Sequence, residues 1–207
     1  MKELVFIDIE TTAKYGPEEN KDAIIEIAAS KVNLKTRETT VIVDTIIKPG
    51  GTDIDQAVCQ VGGGERLSDG VFAPNTWKLG EYHIKAGHFA DVDWSLGQPI
   101  KDVFNTLSLA LEGATIAGQN PKFDLAYIKR DFKNLGMTFP KIDYHLIDLC
   151  SPAIFLYMAG IIPGISLRHS SQWAGCGKQQ HRAGQDVKDA IEVFWKMHDY
   201  YNGKTSK

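Results

Sequence analysis

The chain has 207 residues, 43% hydrophobic and 24% charged, which is enough apolar material for one domain with a buried core. Its 23 Lys and Arg stand against 26 Asp and Glu, a net charge of −3, so a grip on nucleic acid through bulk positive charge is excluded and any such grip must be local. The cysteines Cys59, Cys150 and Cys176 form no C-x-x-C pair, which argues against a zinc site or a disulfide framework and for a reducing, cytoplasmic setting; no apolar run reaches the length of a membrane span.

ELVFIDI, residues 3 to 9, is apolar apart from its acids, as expected of a central strand covered on both faces. AIIEIAASKVNL and ETTVIVDTII are rich in β-branched residues and read as a second and third strand of an antiparallel meander. Residues 48 to 98 are turn-rich and without a clean period, so short helices or a hairpin are expected there, and the stretch from about 48 to 82 reads as a loop-rich insertion. Its aromatics, Phe72, Trp77, Tyr82, Phe89 and Trp94, suit either stacking on unpaired bases or, for most of them, a small local core.

QPIKDVFNTLSLALEG places Ile100, Val103, Phe104, Leu107 and Leu111 on one helical stripe, and ATIAGQ is a short strand. NPKFDLAYIKRDFKNLG is a helix with Asn120 as cap, Pro121 at its first position and Gly136 closing it. YHLIDLCSPAIFLYMAG reads as a strand tip running into a helix, and SLRHSSQWAGCG as a shorter helix. The last helix starts near Ala183 and buries Val187, Ala190, Ile191, Phe194 and Met197. Strands early, then helices mixed with short strands, predict one α/β domain over residues 1 to 207 with a mixed sheet.

FIDIETT raises a problem of charge. Side chains two apart in a strand share a face, so Asp8 and Glu10 stand together and raise each other's pKa unless a cation intervenes. Taken alone, the pair is a strand end emerging into water. Asp124 and Asp186, each near a helix start, read singly as acids favoured by the helix dipole. His181 precedes Asp186 by five residues and so belongs to the loop before that helix. Together, three segments offer acid at element ends and one adds histidine. All-oxygen ligation suits Mg²⁺ or Mn²⁺, and two such ions about 4 Å apart clamp a phosphoryl group for in-line displacement.

FIDIETT, NPKFDLAYI and HRAGQD, in that order, resemble the three motifs of the DEDDh (DnaQ-like) 3′→5′ exonucleases, which include polymerase proofreading subunits, ribonuclease T and oligoribonuclease. The resemblance runs from about residue 3 to 199 and implies a ribonuclease-H-like fold: an antiparallel meander plus parallel strands, flanked by helices. It implies two divalent cations, Mg²⁺ or Mn²⁺, held by Asp8, Glu10, Asp124 and Asp186, with His181 as general base and Glu10 beside it in catalysis. Ile9, Thr11, Thr12, Asn120 and Phe123 would line the terminal nucleotide, and EYHIKAGHF adds His83. Three positions depart from the family pattern: Ala13 follows the paired threonines where glycine is usual, Gln119 precedes Asn120 where proofreading members often have histidine, and Val187 replaces an alanine.

The activity implied is release of nucleoside 5′-monophosphates from a single-stranded 3′ end. DNA is the expected substrate, because D-I-E-T-T is more similar to proofreading members than to oligoribonuclease, where methionine tends to follow the glutamate. A polymerase or other replication or repair partner goes with that expectation, and a membrane does not. The alternatives are an RNA-trimming enzyme on the same site and a non-catalytic nucleic-acid-binding or accessory subunit. A binding module would be expected to have lost an acid or the histidine, and all five groups are present; an accessory subunit predicts a stable partner and weak activity alone.

Overall fold

The computed structural model describes residues 3–12, 23–48, 60–61, 78–79, 89 and 92–204. Among them a five-stranded sheet is built from β1 (Leu4–Thr11), β2 (Ile24–Val32), β3 (Thr39–Ile46), β6 (Thr115–Gly118) and β7 (Leu146–Asp148), in the order β3-β2-β1-β6-β7. β1, β2 and β3 form the antiparallel meander expected of three β-branched runs with short links, whereas β6 and β7 run parallel to β1. A separate two-stranded pair, β4 (Gln60–Val61) and β5 (Lys78–Leu79), is parallel. A hairpin was one expectation for this stretch, and a parallel pair is not one, because two strands joined by a tight turn must run antiparallel. A short 3₁₀ turn, Trp94–Leu96, follows. The other residues from 49 to 82, where the sequence leads one to expect a loop-rich insertion, lie outside the described residues.

Five helices among the described residues flank the sheet: α1 (Ile100–Leu111), α2 (Pro121–Asn134), α3 (Cys150–Met158), α4 (Leu167–Ala174) and α5 (Ala183–Tyr201). The strand alternation sorts them into two layers. Val5, Ile7 and Ile9 of β1 pack with Val103, Phe104, Leu107 and Leu111 of α1 and with Leu125, Ile128 and Phe132 of α2. Leu4 and Phe6, on the other face, pack with Val187, Ala190, Ile191 and Met197 of α5 and with residues of α3 and α4. Both faces of β1 are therefore covered, which is why its sequence is continuously apolar. Phe89 is buried with Ala23 and Ile25 in a small satellite core, its ring 5.7 Å from Trp94. These two aromatics serve the local core.

β1 is the switch strand, antiparallel to β2 on one side and parallel to β6 on the other. Its pairing with β6 stops at Phe6↔Ala117, and the two strands then part. At the parting a Cβ on Gly118 would lie 2.8 Å from the Ile7 carbonyl oxygen, so only glycine fits without moving backbone. Gly118→Ala is expected to cost about 2 kcal/mol through overpacking, read as a fall in Tm of about 4–8 °C. An unchanged Tm would show that the two strands part more freely than this contact implies.

Candidate active site

The parting of β1 from β6 opens the carboxyl end of the sheet, and the acids gather there. Asp8 and Glu10 share the β1 face that carries Leu4 and Phe6, the side packed by α5. Past Phe6 the amide of Ile9 has no β6 partner. Asp124, 4% exposed in the first turn of α2, accepts it through Oδ1 at 3.0 Å. Asp186, 3% exposed in the first turn of α5, accepts the Gln179 amide on Oδ2 at 2.8 Å. Its Oδ1 is buried with no hydrogen-bond partner among the described residues. His181 is half-buried in the segment before α5. Glu10, His181 and Asp186 each bring one ligand atom to within 4.8 Å of the others.

Both helices that bring acid to the site are preceded by a non-glycine residue in the left-handed region. Asn120 (φ 55°) comes just before α2, and His181 (φ 52°) comes two residues before α5. Such backbone is uncommon and clusters at sites where surrounding structure enforces it. It also corrects the expectation for Asn120. A side-chain cap needs extended backbone, and Asn120 makes no side-chain cap hydrogen bond. Its amide instead donates to Asp148 Oδ1 at 2.9 Å, tying the start of α2 to β7.

The electrostatics of the cluster are unfavourable to charge. Burial pushes Asp8 well above the ordinary carboxylate range, and Asp124, Glu10, Asp186 and Glu26 push it further. Glu10 is raised to about 8 by burial, then by Asp186, Glu26 and Asp124, with Arg182 acting in the opposite direction. Asp124 is raised to about 7 by burial, against the Ile9 amide, and Asp186 to about 6 by burial, against the Gln179 hydrogen bond. Four acids so placed hold protons near neutral pH or need a cation. The orphaned Asp186 Oδ1 and an oxygen-rich donor set with one imidazole fit a hard divalent cation.

Of the substrate-lining candidates, Ile9 gives its amide to Asp124 and Thr11 is buried. The Thr12 hydroxyl accepts the Ala23 amide at 2.9 Å while the Thr12 amide donates to the Ala23 carbonyl, joining the end of β1 to the start of β2. Phe123 is half-buried with its ring 5.1 Å from Tyr127, and Asn120 is exposed. His83 lies outside the described residues. Gln119 reaches the Ile165 carbonyl at 2.9 Å and Cys150 Sγ at 2.9 Å, so it braces β6 against the α3–α4 segment. Sequence reasoning missed Gln179, Glu26 and Arg182. For Glu26 there was a signal, an acid inside the otherwise apolar run AIIEIAA; Gln179, in the polar KQQHR stretch, left none.

No family model matches the chain, and no curated protein matches it by sequence. Solved structures do match. The nuclease domain of 3′hExo, a DEDDh family member solved bound to rAMP, superposes with a TM-score of 0.60 at 14% identity over 99% of this chain and 95% of that one. The chain shares the fold of that nuclease domain. Cell-death related nuclease 4 matches with a TM-score of 0.63 at 12% identity, and a 3′-exonuclease solved in 3′-end specific recognition of histone mRNA stem-loop with 0.59 at 14%. This chain spans 64% of the length of each of the latter two, covering 96% and 98% of itself. At these identities the likeness carries the fold alone, a mixed five-stranded sheet flanked by helices, and the chemistry must be read from the site.

Proposed function

We propose that the protein is a cytoplasmic, divalent-metal-dependent 3′→5′ exonuclease that shortens single-stranded DNA, with residues 1 to 207 forming one exonuclease domain that carries an insertion at about 48–82. The observation that carries this reading is the convergence of Glu10, His181 and Asp186 beside a buried Asp186 oxygen that lacks a partner among the described residues. Asp8, Glu10 and Asp186 would hold the ions, with Asp124 assisting. Bound there, two Mg²⁺ or Mn²⁺ supply positive charge at the scissile phosphate and make water easier to deprotonate.

The chain's own residues do the rest. His181 is the general base: a ring nitrogen takes one proton from the attacking water, a task suited to the side chain that ordinarily titrates near neutrality. The water oxygen bonds to phosphorus, the bond from phosphorus to the 3′ oxygen breaks, and that oxygen leaves and takes up a proton from solvent to become a 3′-hydroxyl, while His181 returns its proton to solvent. The products are a nucleoside 5′-monophosphate and a strand one nucleotide shorter. Asp124 binds the Ile9 amide and so keeps the β1 end, with Asp8 and Glu10, from shifting against α2. Phe123 and Asn120 lie one and four residues before Asp124, where a terminal base and sugar would be met.

DNA follows from the FIDIETT segment, and a polymerase or other replication or repair partner belongs to the same reading. RNA is the second reading, favoured by two structural neighbours, one solved with rAMP and one with a histone mRNA stem-loop. The test is degradation of 5′-labelled single-stranded DNA and RNA of matched sequence, with Mg²⁺ or Mn²⁺ and with EDTA. A ladder shortening from the 3′ end, abolished by EDTA and faster on DNA, is the expected result. Faster loss of the RNA strand would move the assignment to an exoribonuclease. No cleavage of either strand by folded, metal-loaded protein would favour a nucleic-acid-binding or accessory role.

A further inference from the structure

Glu26 stands directly opposite Glu10 in the β1–β2 register and is only 3% exposed. Like charges facing each other across two strands repel, so one of the pair must be neutralised from outside. Arg182 does this for Glu26. Its Nε donates to Glu26 Oε1 at 2.9 Å and to Oε2 at 3.1 Å, and its Nη2 donates to Oε1 at 2.7 Å. The Ala183 amide, at the first position of α5, donates to Oε2 at 2.9 Å. The guanidinium also lies over the Phe89 ring, 5.3 Å from its centre. Both carboxylate oxygens of Glu26 are thus occupied, which leaves Glu10 as the member of the pair free to bind a cation.

We infer that Glu26 is a positioning residue that fixes the start of α5, and through it His181 and Asp186, relative to Glu10. His181 adjoins Arg182 on the chain, and Asp186 lies three residues beyond Ala183. Its amide bonds back to the Arg182 carbonyl at 2.9 Å. A left-handed residue such as His181 keeps its geometry only where its flanks are held, and the Glu26 clamp holds the flank on the α5 side. The sheet thereby sets the distance between the β1 acids and the α5 groups without spending a metal ligand on it. The part played by His181 rests on the hydrolytic function proposed above, whereas the part played by Asp186 needs only that the acids bind metal.

Glu26→Gln retains an oxygen for one donor and removes the charge; Glu26→Gln/Arg182→Gln removes both charges together and guards against misfolding from an unpaired arginine. Parent and variants are compared by Mn²⁺ calorimetry on metal-free protein and by kcat and KM, each also in a His181→Ala background, with melting curves confirming fold. Loss of a group that orients metal ligands typically costs 10–100-fold. We expect Mn²⁺ affinity to fall about tenfold and kcat about 10–100-fold at near-constant KM, with a kcat loss several-fold smaller once His181 is absent. Parent-like Mn²⁺ affinity and turnover in both variants, or an equal kcat loss in both backgrounds, would overturn the inference. A parent that cleaves nothing would defeat the hydrolytic function, and Mn²⁺ affinity would still decide the role of Glu26.

Discussion

Asp8→Asn is expected to lower turnover by about 10²–10³-fold and, in the same protein, to raise the Tm of the metal-free form. The two effects have one cause. Asp8 is pushed upward first by burial and then by Asp124, Glu10, Asp186 and Glu26, so its charge is a cost in the absence of a cation. Asparagine keeps the shape and drops the charge. Relief of about 1–2 kcal/mol would appear as about 2–8 °C in Tm at pH 8, measured with EDTA present. With metal the sign reverses, because the neutral amide gives up the attraction that gathers the ions, and electrostatic groups of this kind are commonly worth 10²–10³ in rate each. A variant that is both less active and less stable without metal would mean that Asp8 is held by contacts the charge account omits.

That opposition between function and stability explains why the site was legible in sequence only as a set. Asp8, Asp124 and Asp186 each have an ordinary structural explanation in isolation, and nothing local distinguishes a helix-start acid that meets water from one that meets three other acids. The spacing that did carry information was strand parity, which correctly placed Asp8 and Glu10 on one face. The last helix could be read from its 3.6-residue stripe, and the meander from its β-branched runs. The parallel β4–β5 pair could not, since four residues carry no period and their pairing is long-range. Nor could the left-handed backbone at Asn120, whose own backbone amide binds Asp148, and at His181, whose neighbours Arg182 and Ala183 bind Glu26.

Glu26 shows the limit most clearly. An acid in AIIEIAA breaks a strand pattern, yet its meaning depends on facing Glu10 and on an arginine 156 residues away. Register and partner are tertiary facts. The departure was visible in the sequence, while its resolution required the fold.

The second large effect is on pH and metal together. Glu10, Asp124 and Asp186 are raised to about 8, 7 and 6, and Asp8 is raised as well, above the values these carboxyls have in an unfolded chain. The folded protein therefore holds more protons than the unfolded chain from about pH 4 to 8, and linkage makes stability fall as pH rises through that window. Without metal, Tm is expected to drop by about 5–10 °C between pH 5 and pH 8.5, a direction opposite to that of a protein whose acids are salt-bridged. Divalent cations compete with those protons for the same oxygens. Mg²⁺ or Mn²⁺ at about 100 times its dissociation constant should restore about 2.7 kcal/mol at pH 8.5 and much less at pH 5, where the carboxyls are protonated. Calorimetric scans at the two pH values, with metal and with EDTA, read all four corners. A metal effect of equal size at both would mean that the cation binds elsewhere; a metal-free Tm that rises with pH would mean that the acids are already paired. Only the crossed pattern fits a site in which protons hold the place of metal.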